Sequence, residues 1–260
     1  MAFMRKSVFL LCIIVFPAVV FAGNPPGGED DILRPVPWSM HVGPFAGAAW
    51  VVSEGTFKTL CDCEYASGNG FGLQVGGFAD YPLTGEISVF ATLGYRIFSP
   101  VYEKSQQRLE YVAVPGGGDF MWVDYSLKTT LSLSMIEFGV AAKWELPLKG
   151  LYVAVGPEFG WIILDNIEET ESITTPGLTY DTNGRTDQTF MNDNLDVYYS
   201  DAAAFRVGLA ARIGYILPIH EKLAIAPELM MSMPLTPVTP TYTNWKLAAW
   251  QCNVYLRFTI

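Results

Sequence analysis

The closing segment of the chain, WKLAAWQCNVYLRFTI, alternates without interruption. Ala248, Trp250, Cys252, Val254, Leu256, Phe258 and Ile260 share one parity, and Gln251, Asn253, Tyr255, Arg257 and Thr259 share the other. Side chains on a β-strand repeat every two residues, so the pattern predicts a strand with one apolar and one polar face. The same alternation recurs over 40–52, 71–81, 87–97, 136–146, 151–163, 205–217 and 223–233, which makes eight predicted strands. Their polar parity carries Asp80, Glu86, Arg96, Glu137, Lys143, Glu145, Glu158, Arg206, Arg212, Glu228 and Arg257.

The connectors are of two kinds, and they alternate. PLTG at 82–85, PLKG at 147–150 and PIHEK at 218–222 are tight turns, whereas 53–69, 98–135, 164–202 and 235–244 are long. Short turns at one end and long connections at the other is the asymmetry of outer-membrane barrels, with turns in the periplasm and loops outside the cell. Pairing Ile87 with Leu146 puts a hairpin midpoint inside Pro115-Gly116-Gly117-Gly118, and pairing Gly150 with Ile216 puts another at Asn183-Gly184. Both are strong turn signals. Segments 98–135 and 164–202 are therefore expected to hold hairpins that continue beyond the membrane.

Orientation follows from where charge can be accommodated. A soluble barrel with a ligand cavity turns its polar parity outward. Here that parity holds six acids and five bases, a near balance that can pair across a narrow lumen, where an unpaired charge would be strongly destabilising. Facing outward, it would leave the large apolar set to crowd an interior that eight strands already fill. The apolar parity also segregates its aromatics. Trp50, Phe71 and Trp161 lie toward the long-loop end and Tyr81, Trp144, Tyr215 and Phe258 toward the short-turn end, as two membrane-interface girdles require. The predicted fold is all-β: an eight-stranded antiparallel up-and-down transmembrane β-barrel over 38–260, with short periplasmic turns and long extracellular hairpins.

Composition and leader agree with export. Hydrophobic residues make up 50% of the chain, yet beyond residue 22 they are spread in short runs, unlike the roughly 20 continuous apolar residues of a membrane helix. Arg5 and Lys6 precede an apolar run from Val8 to Phe21, and Val20-Phe21-Ala22 is a small-residue cleavage site, so 1–22 reads as a signal peptide. Residues 23–37 read as a flexible Pro/Gly leader in the periplasm. The formal net charge of −10 excludes the basic footprint of a nucleic-acid binder. Cys61, Cys63 and Cys252 remain after the leader, an odd number that makes no disulfide framework.

The stretch SMIEFGVAAKWELPLKGLYVAVGPEFGWII, from Ser134 to Ile163, resembles the central strands of the PorT-like and OmpX-like outer-membrane β-barrel family, the porin-family barrels that include the OmpA transmembrane domain. The likeness runs over about 38–260 and is one of pattern. It implies a barrel in the bacterial outer membrane, in contact with lipid and lipopolysaccharide. It also implies delivery by the barrel-assembly machinery through the C-terminal strand, whose Phe258 stands two residues before Ile260.

Chemistry is sparse. An enzymatic barrel needs a general base within reach of substrate at the outer rim, and the two histidines, His41 and His220, fall at the turn end. No catalytic, cofactor-binding or metal-binding residues are assigned, and the protein is not expected to be an enzyme. Asp181-Thr-Asn183-Gly184 in the acidic 164–202 segment superficially resembles a calcium loop but lacks the alternating ligand set and terminal Glu. A monomeric interaction barrel is expected, plugged by paired charges and meeting an extracellular protein or surface through its hairpins. The alternative is a small-solute channel; a lipid-modifying enzyme or protease ranks below both.

Overall fold

The structure, a computed structural model, describes residues 39–58, 64–114, 117–180, 184–193, 204–239 and 244–260. The signal peptide, the 23–37 leader, Cys61 and Cys63 lie outside them. Cys252 is disulfide-bonded.

The described residues form ten strands: β1 (His41–Lys58), β2 (Glu64–Pro82), β3 (Ile87–Val114), β4 (Gly117–Glu145), β5 (Leu151–Ile173), β6 (Asp187–Asp193), β7 (Phe205–Tyr215), β8 (Leu217–His220), β9 (Leu223–Pro234) and β10 (Lys246–Thr259). Eight of them, β1 to β5, β7, β9 and β10, close an antiparallel ring, because β10 pairs with both β9 and β1. β8 forms a short hairpin with the start of β9, and β6 extends the sheet along the far end of β5. The eight predicted strands are the eight of the ring.

The turn end is compact. Leu83 and Thr84 N–H donate to the Ile87 carbonyl at 2.8 and 3.0 Å, closing the 83–86 turn. The β4–β5 turn uses Gly150 at φ 85°, a left-handed conformation that costs glycine nothing.

The strand pairing differs from expectation in three ways. First, Ile87 pairs with Trp144 and not Leu146, because Leu146 enters the turn, its N–H donating to the Leu151 carbonyl at 2.9 Å. A two-residue slip leaves every side chain on its expected face. Second, 53–69 is mostly strand, since β1 runs to Lys58 and β2 starts at Glu64. Third, the β5–β7 pairing follows the expected register from Leu151↔Tyr215 to Trp161↔Phe205, but β5–β6 pairs in a different one, with Ser172 opposite Asp187.

Burial shows which face is which. On β10, Gln251, Asn253, Tyr255 and Arg257 are buried, whereas Trp250, Val254 and Phe258 are exposed. The apolar parity of the ring is its outer surface, and the polar parity lines the lumen. Phe71 and Tyr81, which bound the outer apolar band on β2, are ten residues apart, about 33 Å along the strand. At the tilt of a barrel strand this is about 25 Å of height, the apolar band of an outer-membrane barrel.

Candidate functional site

The lumen is filled in tiers. Nearest the turns, Asp80 Oδ2 accepts from Lys143 Nζ at 2.7 Å and Arg257 Nη2 at 2.8 Å. Lys143 also reaches Glu145 Oε1 at 2.8 Å. In the middle, Glu228 accepts from Tyr152 and Tyr255 hydroxyls at 2.9 Å each and from Arg212 Nη1 at 3.3 Å. Phe45, Phe78, Phe90, Tyr152 and Tyr255 pack between these tiers. The Phe45 and Tyr255 rings stack at 5.0 Å, and the Arg212 guanidinium lies 5.5 Å from the Phe90 centroid. Cation–aromatic contact of this kind supports a desolvated charge.

The third tier holds Arg96, which donates to Glu137 and, at 3.2 Å, to Gln74 Oε1. Glu158 lies 3.9 Å from Arg96 and accepts from the Ser232 hydroxyl. Arg206 Nη2 donates to the Leu247 carbonyl at 3.4 Å and has no carboxylate within 4 Å among the described residues. These groups surround a cavity of ≈ 30 Å³, room for about two waters. Arg96 Nε, Glu158 Oε2 and Arg206 Nε carry no protein hydrogen bond there.

Nine of the eleven charged residues read from the sequence sit buried in these tiers: Asp80, Arg96, Glu137, Lys143, Glu158, Arg206, Arg212, Glu228 and Arg257. Two do not. Glu86 belongs to the exposed 83–86 turn, because β3 begins one residue later. Glu145 stands at the rim with its side chain 47% exposed, although Lys143 still reaches it. Of the aromatics expected at the membrane interfaces, Phe71, Tyr81, Trp144, Trp161 and Phe258 are exposed on the outer face, with Trp50 and Tyr215 half-buried beside them. Trp50 pairs directly with Phe71 on one side and Trp250 on the other, so three aromatic rings share one level.

Above the third tier the chemistry of both faces changes sign. On β4 the inward residues Glu137 and Lys143 give way to Leu127, Leu131, Leu133 and Met135, and the outward residues Ile136, Phe138 and Trp144 give way to Ser126, Lys128, Thr130, Ser132 and Ser134. The inward set forms an apolar core with Val51, Phe98, Ile167, Leu247 and Trp245. Trp245 Nε1 donates to Ser53 Oγ and Tyr102 OH at 3.1 Å each, and Tyr102 OH donates to Ser53 Oγ at 2.8 Å. A Cβ on Gly68 would lie 2.5 Å from the Tyr102 ring, so that ring needs a glycine beneath it. Burial pushes the Tyr65 and Tyr102 hydroxyls up to about 12. On β5 the change coincides with a bulge: Ser134 pairs with Leu164 and Met135 with Ile162, so Ile163 is an extra residue. A bulge of one residue reverses the facing of everything beyond it.

At the far end, the β3–β4 hairpin leaves the ring. β2 pairs with β3 only as far as Val101, and β5 pairs with β4 only as far as Tyr125. The hairpin's inner face is covered by the segment after β5: Val123, Tyr125 and Ile173 pack with Val112, Leu178 and Tyr180, and Arg108 pairs with Glu171 at 2.8 Å. Its outer face carries Leu109, Tyr111, Phe120 and Trp122, 52, 61, 65 and 62% exposed. The sequence reading found the hairpin and missed both this patch and the apolar core below it.

No protein-family model and no curated protein sequence matches the chain. Among solved structures it is similar to Neisserial surface protein A, at 12% identity over 84% of this chain and 96% of that one, with a TM-score of 0.34. It is also similar to Ail, the attachment invasion locus protein of Yersinia pestis, at 13% identity over 84% and 98%, TM-score 0.27. The outer membrane protease OmpT from Escherichia coli matches at 9% identity over 88% and 99%, TM-score 0.29. The fold assignment rests on the chain's own ring of eight antiparallel strands, apolar outside and charged within, which is the architecture of an outer-membrane β-barrel.

Proposed function

We propose that the protein is an integral outer-membrane β-barrel whose lumen is a structural plug and whose long hairpins, outside the cell, carry an interaction function. The observation behind this reading is the change of sign of both faces on β4, between Met135 and Glu137 inside and Ser134 and Ile136 outside. Below that level the outer face suits lipid and the inner face suits paired charge. Above it the hairpins have a soluble protein's arrangement, with an apolar core and a polar surface. A wall that continues as a folded soluble body presents a defined surface to the outside.

The channel reading has one observation in its favour, the polar cavity around Arg96, Glu158 and Arg206. Above that cavity the lumen is occupied by Phe98, Leu133, Met135 and Leu247, and below it by the Glu228 and Asp80 tiers. An enzymatic role is the least supported. His41 shares a 3.1 Å hydrogen bond with Thr259 at the turn end, and His220 lies in β8 at the same end.

Two measurements test the reading. Single-channel recording in planar bilayers should show no steady conductance from the intact protein; a stable open level would overturn the plug. Exchange of 98–135 and 164–202 for short turns should leave the heat-modifiable gel migration of a folded barrel and abolish capture by an external surface. Capture that survives the exchange refutes an interaction function in the hairpins.

A further inference from the structure

The outer face of the β3–β4 hairpin carries three consecutive cross-strand pairs: Gln107↔Asp124, Leu109↔Trp122 and Tyr111↔Phe120. Outward positions nearer the ring are polar, among them Ser105, Ser126, Lys128 and Thr130. The patch is thus a second apolar zone, separated from the membrane band by a hydrophilic collar. Leu109 stands ten residues beyond Ser99, which pairs with the girdle residue Phe71; that is about 33 Å along the strand. Lipid of the barrel's own membrane does not reach it.

The patch is held in shape. Gln107 Nε2 donates to Asp124 Oδ1 at 2.6 Å, and the Tyr111 and Phe120 rings meet edge to face at 5.4 Å. The Tyr111 ring lies across Gly118, where a Cβ would come within 2.1 Å of it. The opposite face of the hairpin is packed, as described above. Three rings at about 60% exposure leave roughly 300–450 Å² of aromatic surface, as large as the biggest apolar patch of a typical monomer and commonly functional at that size.

Three occupants can be weighed. A second copy would bury about 800 Å² on each partner in a standard interface; the rings supply about half of that, and the rest would have to come from the polar collar of Ser105, Ser126, Lys128 and Thr130. A bilayer would have to take in the Asp124 carboxylate, which shares the face with Trp122, and burying charge in lipid is costly. A pyranose chain meets neither objection. Its C–H faces stack on aromatic rings, and its hydroxyls hydrogen-bond to an amide–carboxylate pair of the kind that Gln107 and Asp124 place on the same face. The charge on that face selects further: Asp124 carries a carboxylate, and its partner Gln107 is neutral. A carboxylate there repels an anionic sugar.

We propose that the Gln107–Asp124 to Tyr111–Phe120 face of the hairpin is a binding platform for an uncharged oligosaccharide. This rests on the interaction reading above and names the class of partner. The test uses the folded full-length barrel in nanodiscs, titrated calorimetrically with neutral hexasaccharides of glucose, galactose, mannose and N-acetylglucosamine. At least one should bind, Trp122→Ala should weaken that binding by tenfold or more, and Trp122→Phe, which keeps a ring, should restore most of it. Asp124→Asn should weaken it several-fold, and a sulfated analogue should bind more weakly than the neutral sugar. Trp122 is exposed, so each variant should keep heat-modifiable migration, which is checked first. Binding of none of the four sugars overturns the proposal, as does binding insensitive to Trp122→Ala. Patch-dependent flotation with phosphatidylcholine vesicles or a patch-dependent crosslinked dimer, without sugar binding, also overturns it. Loss of sugar binding in Trp122→Ala with surface capture retained would sink this assignment while leaving the interaction reading standing. Loss of capture on hairpin exchange alone bears on that reading and not on this one.

Discussion

Asp80→Asn is the sharpest probe of the proposed plug. Asp80 is 1% exposed and is approached by two cations at 2.7 and 2.8 Å. At an effective dielectric near 20, each contact is worth roughly 6 kcal/mol of gross attraction, most of which offsets the desolvation of the charges. Removing the carboxylate strands Arg257 with no other carboxylate within 4 Å among the described residues, while Lys143 keeps Glu145. Breaking a buried pair by deleting one partner costs about 3–5 kcal/mol. Glu145→Gln, at a half-exposed rim position, should cost under about 1 kcal/mol because water screens it. Equilibrium urea unfolding in lipid vesicles, followed by the fraction with folded gel migration, gives both numbers. Combining Asp80→Asn with Arg257→Met and Lys143→Met should recover most of the loss, since no cation is then left without its acid. If Asp80→Asn falls within 1 kcal/mol of the parent, or matches Glu145→Gln, the tier is not desolvated and the plug argument fails.

Three further outcomes follow from the same geometry. Arg206→Met should be neutral or stabilising by about 1–2 kcal/mol in that unfolding assay, because Arg206 has no carboxylate within 4 Å among the described residues, whereas Arg96→Met should cost about 3–5 kcal/mol by leaving Glu137 unpaired. Gly68→Val should cost at least about 1–3 kcal/mol by driving into the Tyr102 ring, with a red shift of Trp245 emission as the Ser53–Tyr102–Trp245 contact opens. Tyr65 and Tyr102 hold their protons to about pH 12, against 10.0 for a free phenol. Their contribution is therefore fully present below pH 10 and lost as pH rises through 12; absorbance at 295 nm should show Tyr65 and Tyr102 among the late-titrating phenols, and their titration near pH 10 would contradict it.

The barrel was legible because its grammar is geometric. Alternation over 248–260 needs no partner to be recognised, and seven similar segments with alternating short and long connectors specify a ring. The orientation of the faces followed from charge: Asp80, Lys143 and Arg257 share a parity that has to find its partners inside. What the parity could not supply was pairing. Nothing in the sequence says that Asp80 serves both Lys143 and Arg257, or that Glu228 collects two tyrosines, because those contacts cross strands far apart in the chain. Glu86 shows the converse: it has the right parity and a charge, and a boundary shift of one residue puts it in a turn.

The harder part was the region beyond the girdle, and its difficulty has a physical origin. Parity is a property of the backbone, but the chemistry assigned to each parity is set by the medium outside the wall. Along β4 the outward parity is apolar from Ile136 toward the turns and polar from Ser134 toward the tip, and then aromatic again at Trp122 and Phe120. Each change of sign looks like the end of a strand when one apolar parity is followed, so parity alone stops at residue 97 and the hairpin in 98–135 was legible through its turn signal at 115–118, while β3 and β4 run unbroken to Val114 and Gly117. On β5 the bulge at Ile163 adds a change of phase to the change of sign. The first reversal is accounted for by the wall leaving lipid. The second, at Leu109, Tyr111, Phe120 and Trp122, lies where the medium is water and the inner face is already packed, so it is not a continuation of the core. The cross-strand contact of Tyr111 with Phe120 accounts for those two rings within the hairpin itself, whereas the exposed Trp122 beside them is what the binding platform proposed above would use.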